Sequence, residues 1–431
     1  MIFYNTLLIL ACLAALPFLP LILLFKKKWR QGFGERLGLM DKETADKFSS
    51  LKTIWFHGAS MGEAQAFVPV VRELKKLAPD YAVAVTTTSV TGRERVKKEL
   101  GELVEHCCLM PFDLPFLIAL FMKRMNPAAL ITVETEIWPN MIAAASKRGI
   151  PLMLINGRIS KKTFGAYYTF RAFFKPLLSR YSLLMVQSEK LARRLKLIGV
   201  KDSSKIMIQS NTKYSSADAR RDTDFDFDKK GKFVIVAGSI RKGEEEGILK
   251  GFSAAGDSGM CLVIAPRHLN RVPFIIKTAR ALGFEPVLKS SLASLGEIVN
   301  HRICVLDTMG ELSKIYAAGD AAIIGGGFVK IGGHNPMEAA AMGLPVIFGK
   351  HMYNFEDTSD KLVKEGGAFR VENPAEGLAP VLKELKENPG KCKYIGEKNR
   401  AVIERYRGSA STTAVIINEV MIDKKTGGPD E

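Results

Sequence analysis

The sequence predicts two doubly wound α/β domains with a cleft between them, preceded by a membrane anchor. Three observations carry this expectation. From Thr53 onward, short apolar runs alternate with longer amphipathic segments. That alternation stops at a polar stretch near 214–231 and restarts at Phe233. The first 25 residues hold no charged side chain. Strand–helix alternation implies a parallel sheet wrapped by helices, and 431 residues suit two domains of roughly 200 each.

The anchor is assigned to residues 1–28. Met1 to Phe25 is uncharged, and Lys26, Lys27, Lys28 and Arg30 follow at once. Such a run just crosses a hydrocarbon core of about 30 Å, and the flanking positive charges predict a body on the cytoplasmic side. A cleaved signal peptide fits poorly, because no basic region precedes the apolar run. Pro17 and Pro20 interrupt a straight span and leave a re-entrant or surface-embedded anchor open.

The first α/β domain is expected over 29–213, with strands near 53–57, 82–87, 105–110, 129–133, 151–155, 183–187 and 205–208. Helical patterns lie between them, at 61–77, 138–148 and 188–198. Residues 214–231, polar and rich in Ser, Asp and Arg, read as a linker. The second domain is expected over 232–390, with strands at 233–238, 260–265, 303–306, 321–325 and 345–348. A helical tail at 391–422 packs back on the first domain, and 423–431 is a disordered tail.

The formal charge of +17 is spread along the chain and favours an anionic partner. The six cysteines form no C-x-x-C pair and no Cys/His ligand spacing, so reduced buried thiols are expected and no structural metal. Between Ile155 and Val200, ten Lys or Arg face one acid, Glu189, with seven aromatics interleaved: Phe164, Tyr167, Tyr168, Phe170, Phe173, Phe174 and Tyr181. This segment reads either as a surface lying on acidic headgroups or as core helices with solvated lysines. No RNA-recognition signature accompanies it, so nucleic acid is not an expected partner.

In doubly wound sheets, ligands bind beyond the carboxyl ends of the strands, where helix N-termini point. Three such turns stand out: H-G-A-S-M-G-E (57–63), D-T-M-G-E-L (307–312) and G-G-G-F-V-K-I-G-G-H-N-P-M-E (325–338). Ser60/Glu63, Thr308/Glu311 and Asn335/Glu338 all have capping-box spacing, and Pro336 suits a first helical position. Bare helix N-termini also stabilise phosphate. Gly325–Lys330 lacks the third glycine of a dinucleotide fingerprint. Gly238–Gly243 resembles a P-loop, but Glu244 stands where lysine is required. Asp224, Asp226 and Asp228 imitate a metal-binding D-x-D but lie in the linker.

Taken in order, G-A-S-M-G-E, E-T-E-I-W-P-N (134–140), I-N-G-R-I-S (155–160), Q-S-E-K (187–190), G-S-I-R-K-G-E-E-E (238–246), A-P-R-H (265–268), D-T-M-G-E-L and G-G-H-N-P-M-E resemble the Kdo transferases from about residue 29 to 405. That resemblance implies a GT-B fold of two Rossmann-like domains. It also implies transfer of Kdo from CMP-Kdo to a lipid A precursor (lipid IVA), with inversion, at the bacterial inner membrane. On it, Glu63 is the general base, and its place at a helix N-terminus predicts a depressed pKa. Ser239, Arg241, Arg267, His268, Gly310, Glu311, Leu312, Asn335 and Glu338 are expected to bind the donor. Ser60, Gly62, Glu134, Arg158, Asn211 and Lys213 are expected to bind the acceptor, and Gly is missing before Asn211 where the family has it. Lone histidines rank below the glutamates. The basic aromatic segment would serve the anionic membrane surface and the phosphorylated acceptor. No metal and no cofactor is called for. The rivals are a UDP-sugar-dependent GT-B transferase or epimerase, and a non-catalytic, membrane-tethered nucleotide-binding protein.

Overall fold

The computed structural model describes residues 1–25, 30–214 and 228–426. They form two compact units, one drawn from Met1–Ser216 and Tyr406–Glu431, the other from Ala217–Arg405. Each unit contains a seven-stranded parallel sheet.

The first sheet consists of β1 (Thr53–His57), β2 (Ala82–Thr87), β3 (His106–Leu109), β4 (Pro127–Val133), β5 (Leu152–Gly157), β6 (Leu183–Val186) and β7 (Ile206–Ile208). Its order is β3-β2-β1-β4-β5-β6-β7. Alternate residues point to opposite faces, so each strand feeds two cores. Ile54 and Phe56 join Val83, Val85 and Ile131 in a core shared with helices Met61–Leu77, Val90–Leu100 and Ser409–Thr426. Trp55 joins Ala84, Leu130 and Leu154 in the other, with helices Pro115–Met125, Pro139–Lys147 and Glu189–Ile198. Burial on both faces explains why these strands read as unbroken apolar runs. Each large side chain fully removed from water contributes about 1.5–3 kcal/mol.

The second sheet consists of β8 (Phe233–Ile240), β9 (Met260–Pro266), β10 (Val287–Leu288), β11 (Ile303–Val305), β12 (Ala321–Ile324), β13 (Val346–Phe348) and β14 (Ala368–Arg370), in the order β10-β11-β9-β8-β12-β13-β14. The two outermost strands, β10 and β14, were not expected from the sequence. The tail is also divided. Helix Pro389–Arg407 belongs to the second unit as far as Arg405, and Ser409–Thr426 belongs to the first. Ala410, Ala414, Ile417 and Met421 of that last helix share a core with Phe67 and Val71. The helix runs to Thr426, past residue 423 where disorder was expected.

Residues 2–25 form two helices, Ile2–Ala15 and Leu19–Phe25, with a 3-10 turn at Leu16–Phe18 where Pro17 sits. The stretch Ile2–Leu21 has a mean hydropathy of 2.1 and none of it is buried, which is compatible with an anchor. The basic cluster at 26–29, most of the linker (215–227), Asp224, Asp226 and the end of the tail lie outside the described residues.

In both sheets the connections reverse direction beside the first strand, between β1 and β4 and between β8 and β12. These are the switch points where doubly wound sheets bind ligands.

Candidate active site

In the first unit, the switch point is bridged by side chains. His57 ends β1, and Glu136 follows β4. The His57 Nε2–Glu136 Oε2 distance is 3.2 Å, and Trp138 Nε1 donates to the same oxygen at 2.7 Å. On the other side of the ring, His57 Nδ1 lies 2.8 Å from Thr86 Oγ1, which also accepts from Trp55 Nε1 at 2.8 Å. A Thr86 hydroxyl donating to Nδ1 leaves Nε2–H to donate to Glu136, a tautomer that satisfies every partner. His57 is fully buried. Its ring therefore fixes where the Glu136 carboxylate stands.

Glu63 sits in the first turn of helix Met61–Leu77. Ser60 caps this helix, accepting from Glu63 N at 3.4 Å, while Ser60 N donates to Glu63 Oε2 at 2.5 Å. The expected depression of its pKa is overturned. Burial pushes the Glu63 carboxyl up, and the charges of Glu136 and Glu134 push it further, against the lowering effect of the Ser60 hydrogen bonds. Burial and the two neighbouring carboxylates outweigh the favourable helix start. Raised basicity suits a group that must accept a proton. A Cβ on Gly62 would meet only Ser60 Oγ, at an ordinary 3.6 Å, so packing does not require glycine there.

Beside Glu63 a second cluster follows the carboxyl ends of β4, β5, β6 and β7. Lys213 Nζ donates to Glu134 Oε1 at 2.5 Å, and Lys213 N donates to Asn211 Oδ1 at 3.0 Å. Asn211 Nδ2 donates to Gln187 Oε1 at 3.3 Å, and Gln187 Nε2 donates to Asn156 O at 3.0 Å. Arg158 N donates to Glu134 O at 3.4 Å. Glu134 and Asn156 have φ of 58° and 53°, in the left-handed region that costs a side-chain-bearing residue free energy. Among the described residues, Asn156 Oδ1 and Ser188 Oγ are buried at this edge without a protein partner. The structure thus brings together Ser60, Gly62 and Glu63, and separately Glu134, Arg158, Asn211 and Lys213.

The basic aromatic segment divides. Phe164, Tyr167, Phe173 and Phe174 pack on the Trp55 core and Tyr181 is inside it, as the core-helix reading had it. Only Tyr168 and Phe170 are exposed, at 44% and 63%.

The second unit holds a matching arrangement. Ser239, near the end of β8, has φ of 57°. A Cβ on Gly325 would lie 2.3 Å from Ser239 O, so β12 and β8 approach this closely only because residue 325 is glycine. Arg241 spreads its guanidinium over two imidazoles, donating from Nε to His334 Nε2 and from Nη1 to His268 Nε2, each at 3.0 Å. A guanidinium accepts nothing, so both rings accept through Nε2. Burial and the charges of Arg241 and Arg267 push His334 down to about 4, which keeps it neutral and able to accept.

Glu244, dismissed as the wrong residue for a P-loop, is fully buried. Its carboxylate accepts from Arg241 N (2.9 Å), Gly326 N (2.8 Å) and Phe328 N (2.9 Å), which joins the loop after β8 to the loop after β12. Asn335 Oδ1 accepts from Met337 N at 3.0 Å, and its amide donates to Glu338 Oε1 at 3.2 Å. Burial pushes Glu338 up, and Arg267 opposes that. Thr308 donates to Glu311, which also pairs with Lys289 at 2.6 Å; these hydrogen bonds hold Glu311 below the usual carboxylate range. Gly310 has φ of 87°. Only Ser60/Glu63 closes a capping box. The other helices start at Leu312, after Glu311 at the cap, and at Met337, after Pro336 at the cap.

Residues 31–216 match the family model for 3-deoxy-D-manno-octulosonic-acid transferase (kdotransferase). The chain is 32% identical over 414 residues to the 3-deoxy-D-manno-octulosonic acid transferase of Haemophilus influenzae, covering 94% of this chain and 95% of that one. It is 32% identical over 351 residues to the enzyme of the same name from Aquifex aeolicus, covering 81% and 90%. Among solved structures, it is similar to UDP-GlcNAc 2-epimerase from Neisseria meningitidis, with a TM-score of 0.59 at 17% identity over 86% of this chain and 100% of that one. That likeness shows the GT-B fold alone.

Proposed function

Since the chain belongs to the 3-deoxy-D-manno-octulosonic acid (Kdo) transferase family and is a glycosyltransferase, we propose that it moves Kdo from CMP-Kdo to a lipid A precursor, with inversion, in building the lipopolysaccharide core. The observation that carries this reading furthest is Glu63, a carboxyl made more basic by burial and by the charges of Glu136 and Glu134, at the switch point of the first sheet.

In this reading the acceptor hydroxyl oxygen attacks the anomeric carbon of Kdo as the bond to CMP breaks. Glu63 takes the hydroxyl proton. Ser60, Gly62, Glu134, Arg158, Asn211 and Lys213 receive the acceptor, and the bare turn at Gly62 leaves room for a sugar. His57 and Trp138 hold Glu136 as a fixed charge that keeps Glu63 basic.

The second unit receives the donor. Arg241 and Arg267 offer forks matched to a phosphate or carboxylate, with Ser239 and His268 beside them. Gly310, Glu311 and Leu312 hold the cytidine, and Asn335 and Glu338 hold the ribose and phosphate. Charge on the departing CMP is met by arginine and by backbone N–H groups, so no step calls on a metal ion. The transfer rate is expected to survive EDTA, and a strict metal requirement would count against this site.

The apolar N-terminal segment anchors the body to the cytoplasmic side of the bacterial inner membrane. A thermal-shift comparison tests the donor. CMP should raise the melting temperature and UDP should not; the reverse would favour a UDP-sugar enzyme.

A further inference from the structure

The N-terminal segment touches the body near its start, and the chain that follows it is held by the same body. Near its start, Tyr4 donates from its hydroxyl to Asp113 Oδ2 at 3.1 Å, and Asn140 Nδ2 donates to Asn5 Oδ1 at 2.8 Å. The Tyr4 ring lies 5.9 Å from that of Phe173. Asp113 and Asn140 are each only 5% exposed. Asp113 accepts from Asn140 N at 3.0 Å and Met141 N at 2.9 Å, so Tyr4 and Asn5 are fastened to a rigid helix start.

Beyond the segment, the chain rejoins the body at the residue next to Asp113. Phe112 N donates to Arg36 O at 2.9 Å, and the Phe112 and Phe33 rings lie 6.5 Å apart. Arg36 Nη2 donates to Thr88 O at 2.8 Å.

These contacts conflict with a span. A helix rises 1.5 Å per residue, so Tyr4 to Phe25 covers roughly 32 Å, about the thickness of the hydrocarbon core. If the segment stood along the membrane normal with the body at its far end, Tyr4 and Asn5 would lie on the opposite side of the bilayer. They could not reach Asp113 and Asn140. A segment lying in the plane of the membrane keeps both contacts, and the turn containing Pro17 allows it to bend.

We propose that the apolar segment Ile2–Phe25 is a monotopic anchor: it lies in one leaflet with both ends on the body's side and does not cross the bilayer. The proposal rests on the membrane reading above. Two exposed apolar side chains stand close in sequence to residues that hold Tyr4. Phe116, 65% exposed, is three residues from Asp113, and Phe170, 63% exposed, is three residues from Phe173.

The test uses the full chain in native inner-membrane vesicles, with Cys12→Ser, Asn5→Cys and Asn140→Cys. Oxidation with copper phenanthroline should join residues 5 and 140, read as a linked peptide pair by mass spectrometry. If both cysteines react with maleimide yet no linked pair forms, the proposal fails. Asn140 is buried, so a second measurement uses Ile2→Cys, at a position 86% exposed. A membrane-impermeant maleimide should label this cysteine only after spheroplasts are lysed. Labelling of intact spheroplasts would place the start of the segment outside and overturn the proposal. Recovery of the protein in the soluble fraction would refute the membrane reading and the proposal with it.

Discussion

Replacing Glu63 by Gln and by Ala separates the two roles its position allows. Its carboxylate closes the capping box on Ser60 N at 2.5 Å, and it is also the candidate base. Glutamine keeps an acceptor oxygen and is itself favoured at this position of a capping box, so Glu63→Gln should change stability by no more than about 0.5 kcal/mol. Alanine removes the reciprocal hydrogen bond and should cost about 1 kcal/mol. Chemistry should respond differently: both variants should lose about 10²–10⁴-fold in the rate of Kdo transfer, because neither side chain takes a proton at neutral pH.

The pH profile adds a second handle. Burial and the Glu136 and Glu134 charges raise the Glu63 pKa, so the parent rate should climb with pH above the ordinary carboxylate range, and this limb should vanish in Glu63→Gln. The stability sign is the opposite. A carboxyl with a raised folded pKa favours the fold most below its unfolded pKa, and that contribution is lost as pH rises through the folded value. The parent should therefore lose stability relative to Glu63→Gln over that window. Transfer is read by mass spectrometry of the lipid product, with CMP binding by calorimetry as the control for folding. A Gln variant within about threefold of the parent, or one that keeps the limb, would return Glu63 to the role of a helix cap.

Further outcomes follow from the surrounding contacts. Lys213→Met leaves the Glu134 carboxylate, 11% exposed, without its ion pair; it should destabilise the first unit by about 3 kcal/mol in a denaturant titration. The same variant should move the Glu63 limb of the pH profile upward, since the Glu134 charge is no longer offset. Glu244→Gln puts an amide N–H₂ among three backbone donors, costing about 2 kcal/mol in the second unit. By calorimetry it should weaken CMP about tenfold, which is 1.4 kcal/mol. His334 has a folded pKa depressed to about 4, so its contribution is present above the unfolded value near 6.5 and lost as pH falls toward 4. Folding stability of the second unit should fall across that window in a denaturant titration, and His334→Gln should flatten the dependence.

The sheet interiors were legible because strands buried on both faces carry unbroken apolar runs, as residues 54–56 and Met260–Pro266 do. Val287–Leu288 and Ala368–Arg370 were not, because two or three residues at a sheet edge, part of them half-exposed, leave no pattern. The capping box of Ser60 and Glu63 was legible through its spacing. The His57–Glu136 bridge joins residues 79 apart that meet only because β1 and β4 are neighbours, and a single histidine carries no signal of that. The bridging role of Glu244 was hidden for a similar reason. Its partners at Gly326 and Phe328 lie more than 80 residues away, where a local motif comparison does not reach. The membrane reading of the aromatic segment was too broad, because helical spacing turned five of its seven rings inward.

The most direct test of the account is transfer of Kdo from CMP-Kdo to a tetraacylated lipid A precursor by the purified full chain, read as a mass increase of the lipid. The account predicts that the parent makes the Kdo-bearing product and that Glu63→Gln binds CMP but makes almost none. A parent that neither transfers Kdo nor binds CMP would contradict it.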